Sequence, residues 1–244
     1  MEGIGKDFIE KTKYHHLSPS DQMRGLPPPP VELPYDLKEE LIDLPEPDRV
    51  EISTITLREA IARRVSVRKY SCEPLNLDEL SYLLWCTQGV KEVIQDYVTL
   101  RTVPSAGARH AFETYLLVNN VFGLQPGIYR YLATKHKLLS VKMETTMADK
   151  VTEACWGQEF VKTSATTFIW TAVVYRMKWR YGERGYRYLY LDAGHVCQNL
   201  YLAAESLGYG VCAIGAFSDD EMNRLLDIDG VEQFVIYIAT LGNK

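Results

Sequence analysis

Arg64-Val65-Ser66-Val67-Arg68 sets two guanidiniums and a hydroxyl at i, i+2 and i+4, with valines between them. In extended backbone a period of two aims all three to one side. Two guanidiniums and a hydroxyl on one face suit a phosphate, which offers three acceptor oxygens. Arginine is also common on surfaces, so a solvated strand edge accounts for the same spacing.

Pro104-Ser105-Ala106-Gly107-Ala108-Arg109 is a small-residue loop ahead of a strand. Small side chains let backbone N–H groups approach a flat or anionic ligand, although an ordinary tight loop looks the same. The run from Arg180-Tyr181 to Tyr188 is dense in Tyr and Arg. Such planes stack on a planar ligand or neutralise an anion, and they serve equally well in interface packing. Gly208-Tyr-Gly210-Val-Cys-Ala213 fits G-x-G-x-x-A by letter, but it closes a helix and opens a strand. A dinucleotide fingerprint does the reverse, so Gly208 is read as a helix stop. Cys197, Cys212 and His195 fall in apolar segments and read as structural. No metal-ligand cluster stands out, and neither G-x-S-x-G nor H-E-x-x-H occurs.

These residues need elements to hold them. Eight of eleven prolines precede residue 48, including Pro27 to Pro30, so residues 1–50 read as an extended, Pro-rich arm. It either wraps a neighbouring surface or remains a flexible leader. Capping boxes at Thr56-Leu-Arg-Glu59, Asn76-Leu-Asp-Glu79 and Ser218-Asp-Asp-Glu221 open three helices. A fourth helix runs from Tyr190 to Leu207. Strands are expected at 115–118, 127–131, 137–141, 165–175, 211–215 and 234–241. This order is α+β, without simple βαβ alternation.

Length and charge exclude several classes. The chain has 244 residues, 46% hydrophobic and 11% aromatic, with a net charge of −5. That composition builds a core and argues against disorder and against a general nucleic-acid binder. No stretch reaches the ~18 apolar residues of a membrane span, and the first residues lack a signal-peptide core. Five cysteines without a Cys-x-x-Cys pair suggest reduced thiols, hence a cytoplasmic protein.

Several stretches, in order, resemble the nitroreductase-like flavoprotein superfamily, and within it the SagB-type (SagB/ThcOx) dehydrogenase branch. They are Arg63 to Tyr70, Leu83 to Gly89, Arg101 to His110, Pro126 to Tyr131, Tyr181 to Arg187, Asp192 to His195 with Gln198-Asn199-Leu200, and Ile214 to Phe217. The resemblance implies a mixed, mainly antiparallel sheet flanked by helices, with residues 51–244 as one FMN-binding domain. It also implies a homodimer with FMN at the subunit interface. Arg64 and Ser66 match residues that hold the FMN phosphate, with Val65 contributing backbone. Arg68 matches the cation beside flavin N1 and C2=O. Pro104, Ser105, Ala106 and Gly107 match the loop given by the other subunit. Gln158 matches an amide on the pyrimidine edge, Gly215 and Ala216 match donors to N5 and O4 with Ile214 beside them, and Lys244 is the basic residue left for the phosphate.

Azoline-oxidising members carry a Lys-Tyr pair where this chain has Arg180-Tyr181. Arginine stays protonated and cannot be a general base, whereas Tyr181 can exchange a proton. Three functions follow. In the first, hydride passes from NAD(P)H through flavin N5 to a small-molecule acceptor. In the second, a SagB-type enzyme oxidises a peptide heterocycle or small molecule with oxygen as electron sink, and the arm docks a peptide-modification partner. In the third, the protein only binds flavin or a partner and catalyses nothing.

Overall fold

In the computed structural model, which describes residues 3–36 and 38–244, some helices begin where a side chain meets their unpaired N–H groups. Helix α1 (Ile4–Lys11) and a short strand β1 (Leu41–Asp43) lie within the N-terminal fifty residues. Thr56 caps α2 (Leu57–Arg63) and Asn76 caps α3 (Leu77–Gln88). In both, the glutamate three residues on returns a bond to the cap's own N–H. A hairpin of β2 (Val90–Ile94) and β3 (Val98–Arg101) stands apart from the main sheet.

The sheet is assembled from β4 (Phe112–Val118), β5 (Gly127–Leu132) and β6 (Lys137–Lys142), then, after α4 (Met147–Ala154) and α5 (Phe160–Thr163), from β7 (Thr166–Val173). Helices α6 (Val174–Tyr181) and α7 (Gly185–Leu207) follow, then β8 (Tyr209–Ile214), α8 (Asp219–Leu225) and β9 (Gln233–Asn243). Its order is β1-β6-β5-β4-β7-β9-β8, every neighbouring pair antiparallel. Only the bridge from Ser66 to Val211 of β8 runs parallel at this sheet's edge.

Both faces of the sheet are covered, as strand alternation requires. On β7, Phe168, Trp170 and Ala172 point toward Leu80, Leu84, Met177 and Leu200 of α3, α6 and α7. Ile169 points the other way, toward Val151, Val161 and Met222 of α4, α5 and α8. Leu80, Leu84 and Leu200 are wholly buried, and each burial stabilises the fold by ~1.5–3 kcal/mol. Gly208 stops α7 in left-handed backbone at φ 77°.

Three expectations change. The Ser218 cap is half a box: its side chain accepts from the Glu221 N–H, while the Glu221 carboxylate pairs with Arg224. The strand expected at 165–175 turns into α6 at Val174. Residues 1–50 include α1 and β1 and are not extended throughout, although residues 1, 2 and 37 of that span lie outside the described residues.

Prolines explain how the arm is held. Pro27 to Pro30 lack N–H groups, so this stretch offers its neighbours mainly carbonyls. Side-chain donors of the body meet them. Trp179 Nε1 donates to Leu26 O, Arg176 Nε to Pro30 O, Arg101 to Val31 O, and Arg130 to Leu33 O, at 2.9–3.3 Å. The arm therefore wraps the chain's own body. Among the described residues no helix is long and apolar enough to cross a membrane.

Candidate functional site

Arg64, Ser66 and Arg68 follow α2 along the outer edge of β8, where the Val67 N–H donates to Val211 O at 2.9 Å. Gly210 permits this approach, because a Cβ there would lie 2.6 Å from Val67 Cβ. Tyr201 of α7 organises the segment. Its hydroxyl accepts from the Ala213 N–H at 2.9 Å, lies 3.2 Å from Ser66 Oγ, and its ring sits 5.3 Å from the Arg64 guanidinium. Arg68 lies 6.0 Å from the Phe160 ring. Neither the Arg64 nor the Arg68 guanidinium has an ion pair or hydrogen-bonded partner among the described residues. Arg64 and Ser66 thus share one neighbour, as the period of two requires.

Ile214 ends β8 buried, and Gly215 and Ala216 come next, exposed. Their peptide N–H groups donate to no described residue, and a Cβ on Gly215 would meet open space. Gln158 Nε2 bonds Ala216 O at 2.9 Å and Cys155 O at 2.8 Å, which fixes the amide beside this strand end. Trp156 and Gly157, both at positive φ, make the elbow that delivers it.

A second cluster forms around the loop 104–109. Gly107 (φ 58°), Ala108 (53°) and His110 (43°) adopt left-handed backbone, which for Ala and His stores strain. Ser105 Oγ accepts from the His110 N–H at 2.9 Å, and Asp192 of α7 accepts from the Ala106 N–H at 3.2 Å. Burial pushes the Asp192 carboxyl up, against the Ser105 and Ala106 hydrogen bonds. A Cβ on Gly107 would lie 2.5 Å from the Tyr181 hydroxyl and 2.8 Å from Arg180 Nε, so the loop and Arg180-Tyr181 are in contact.

Tyr201 and Asp192 stand nine residues apart on one helix, about 13 Å along its axis. The chain therefore gathers the expected residues into two groups, one with Arg64, Val65, Ser66 and Arg68, the other with Ser105 to Gly107, Arg180 and Tyr181. Lys244 is spent on Glu205, at 2.8 Å to both oxygens. His195 is half exposed, 4.0 Å from Asp192. Burial pushes the thiols of Cys155 and Cys197 up to about 12, away from nucleophile chemistry. Tyr201 was not singled out from sequence, and Asp192 entered only within a stretch that carries the resemblance. Their helix position signals burial, and only contact reveals their part.

An antiparallel sheet covered by helices on both faces, with two free guanidiniums along its β8 edge, defines an α+β protein of nitroreductase-like architecture. The nitroreductase family model matches residues 61–243, and the chain belongs to that family. A nitroreductase-family protein of Methanocaldococcus jannaschii is 34% identical over 80% of this chain and 94% of its own length. A nitroreductase-family crystal structure from Anabaena variabilis is 31% identical with a TM-score of 0.66, covering 87% of this chain and 45% of that one. The trifolitoxin-processing protein TfxB of Rhizobium leguminosarum is 29% identical over 64% of this chain, which spans 44% of that protein. These matches bear out the superfamily read from the motifs, and the last accords with its SagB-type branch.

Proposed function

We propose that this oxidoreductase is FMN-dependent and passes hydride from NAD(P)H to a small-molecule acceptor. One observation carries the reading: two unpaired guanidiniums, a hydroxyl and two unspent peptide N–H groups lie along and just beyond the β8 edge. That donor set fits an anionic, planar cofactor. Arg64 and Ser66 hold the phosphate with the Val65 backbone, and Arg68 stands by the pyrimidine edge with Gln158. Gly215 and Ala216 donate their N–H groups, beside Ile214. When bound, FMN supplies a two-electron carrier whose reduced form is anionic, and a fixed cation at Arg68 favours that form. Lys244 joins the phosphate only by leaving Glu205.

Residues 51–244 act as one flavin-binding domain and residues 1–50 as its arm, in a cytoplasmic homodimer. The separation of the two groups along α7 supports the dimer, since Pro104 to Gly107 then complete a partner's site. Tyr181 exchanges the proton that accompanies hydride transfer, and Arg180, always charged, orients an anion beside it.

The TfxB likeness favours a second reading, in which a peptide heterocycle is oxidised and oxygen takes the electrons. Anaerobic mixing separates the two. Purified protein should be yellow with flavin absorbance, and NADH or NADPH should bleach it. A yellow protein that neither nucleotide bleaches overturns the first reading, and a colourless one that takes up no FMN overturns both.

A further inference from the structure

The arm and the end of α6 border an open cleft of about 320 Å³ that reaches the Arg180-Tyr181 pair of the proposed site. Tyr14, Leu17, Pro19 and Met23 of the arm form one wall, and Arg180 and Tyr181 form the other. This volume lies at the small end of ligand pockets, ~300–1,000 Å³.

The cleft is built from fixed parts. Tyr14 Oη lies 2.9 Å from Tyr188 Oη, and Arg184 Nε donates to Tyr188 Oη at 2.8 Å. Arg184 also donates to Thr12 O at 2.9 Å, which ties the end of α1 to α7. On the other side, the Gln22 N–H donates to Trp179 O at 2.8 Å, one residue before Arg180. The arm cannot swing without losing these bonds.

Donors in this region divide sharply. Arg109 is spent on Gly107 O, Arg176 on Glu113 and Pro30 O, Arg184 on Tyr188 and Thr12, and Arg187 on Thr12 and Ile9. The Arg180 guanidinium and the Tyr181 hydroxyl bond no described residue, and both residues line the cleft. Residues 176–187 carry five cations against Glu183 alone, in a chain of net charge −5. Glu183 itself pairs with Lys178 at 3.1 Å. The local field therefore attracts an anion, and the guanidinium fork matches a carboxylate. The remaining walls are aromatic rings, a thioether and aliphatic carbons, which suit a ring.

We propose that this cleft recognises a small aromatic carboxylate, with Arg180 binding the carboxylate, the Tyr181 hydroxyl as second donor, and the arm packing the ring. The proposal rests on the oxidoreductase reading only in treating this ligand as a substrate. It makes the arm part of the specificity pocket.

Calorimetric titration of the full chain, as purified, with benzoate and with benzamide tests it. Benzoate should bind at least about tenfold more tightly, because a charge-assisted bond replaces a neutral one. Arg180→Gln should erase the difference. Ser18→Trp, on the exposed arm wall, should weaken both ligands about tenfold or more, with circular dichroism unchanged. Equal binding of the two ligands, no binding of either, or benzoate affinity indifferent to Arg180→Gln or Ser18→Trp overturns the proposal. No turnover is read, so the outcomes separate. A colourless protein that still distinguishes benzoate through Arg180 keeps the cleft and loses the flavin. A yellow one that ignores benzoate does the opposite.

Discussion

Arg176 and Glu113 meet at 2.6 Å with side chains 2% and 3% exposed, and both also bond the arm. Glu113 Oε1 accepts from the Leu33 N–H at 2.9 Å, and Arg176 Nε donates to Pro30 O at 2.9 Å. The ion pair is thus buried by the segment it fastens. Glu113→Ala leaves a buried guanidinium uncompensated, so unfolding free energy should fall by about 3–5 kcal/mol. Urea denaturation measures this, and trypsin should cut faster at Arg24 in the variant. An unchanged midpoint and cleavage rate would show that the pair does not hold the arm.

Gly107 sits at φ 58° against Arg180 and Tyr181. Gly107→Ala should cost about 1 kcal/mol from backbone conformation. The atoms it strikes are side-chain ends, which move aside, so the larger effect falls on function. Turnover should drop at least about tenfold while the thermal midpoint shifts by a few degrees. Turnover equal to the parent's would remove the loop from the site.

Gly210 meets a less yielding neighbour, Val67 Cβ at 2.6 Å. Gly210→Ala should push the 64–68 segment off β8, destabilise the fold by about 1–3 kcal/mol and weaken FMN binding. Adding Val67→Gly should restore part of both. Fluorescence titration with FMN reads the rescue, and its failure would place the steric conflict elsewhere.

Arg64 and Arg68 separate by ligand. Arg64→Ala should weaken FMN about tenfold or more and leave riboflavin, which lacks the phosphate, unchanged. Arg68→Ala should weaken both and lower the flavin reduction potential. Equal loss of FMN and riboflavin in Arg64→Ala would contradict its phosphate role.

His110 carries the acid sensitivity. Burial lowers its pKa to about 3, helped by the Arg101, Arg109 and Arg176 charges, against a hydrogen bond to the Thr99 carbonyl. The folded protein holds this ring neutral while the unfolded chain protonates it near the ordinary histidine value of 6.5. The unfolded state therefore binds more protons, and stability drops as pH falls from about 6.5 toward about 3. His110→Asn, which tolerates left-handed backbone, should flatten that slope in urea midpoints measured across this range. An equally steep slope in the variant would exclude His110 as its source.

Local chemistry was legible in the chain itself. Capping boxes at Thr56 and Asn76, the stop at Gly208 and the start of the uncharged run at 165–175 follow from interactions within a few residues, so their positions could be read directly. Arg64 and Ser66, two residues apart, reach one tyrosine, whereas Arg68 lies beside Phe160. Tertiary structure decided what depends on distant neighbours. Sequence left the prolines as arm or leader, because carbonyls without donors are satisfied only when Trp179, Arg176, Arg101 and Arg130 arrive from 70 to about 150 residues away. It likewise could not tell the free Arg180 from the spent Arg184. Such distinctions arise when the sheet and α7 bring remote groups within hydrogen-bond reach, and no local pattern encodes that.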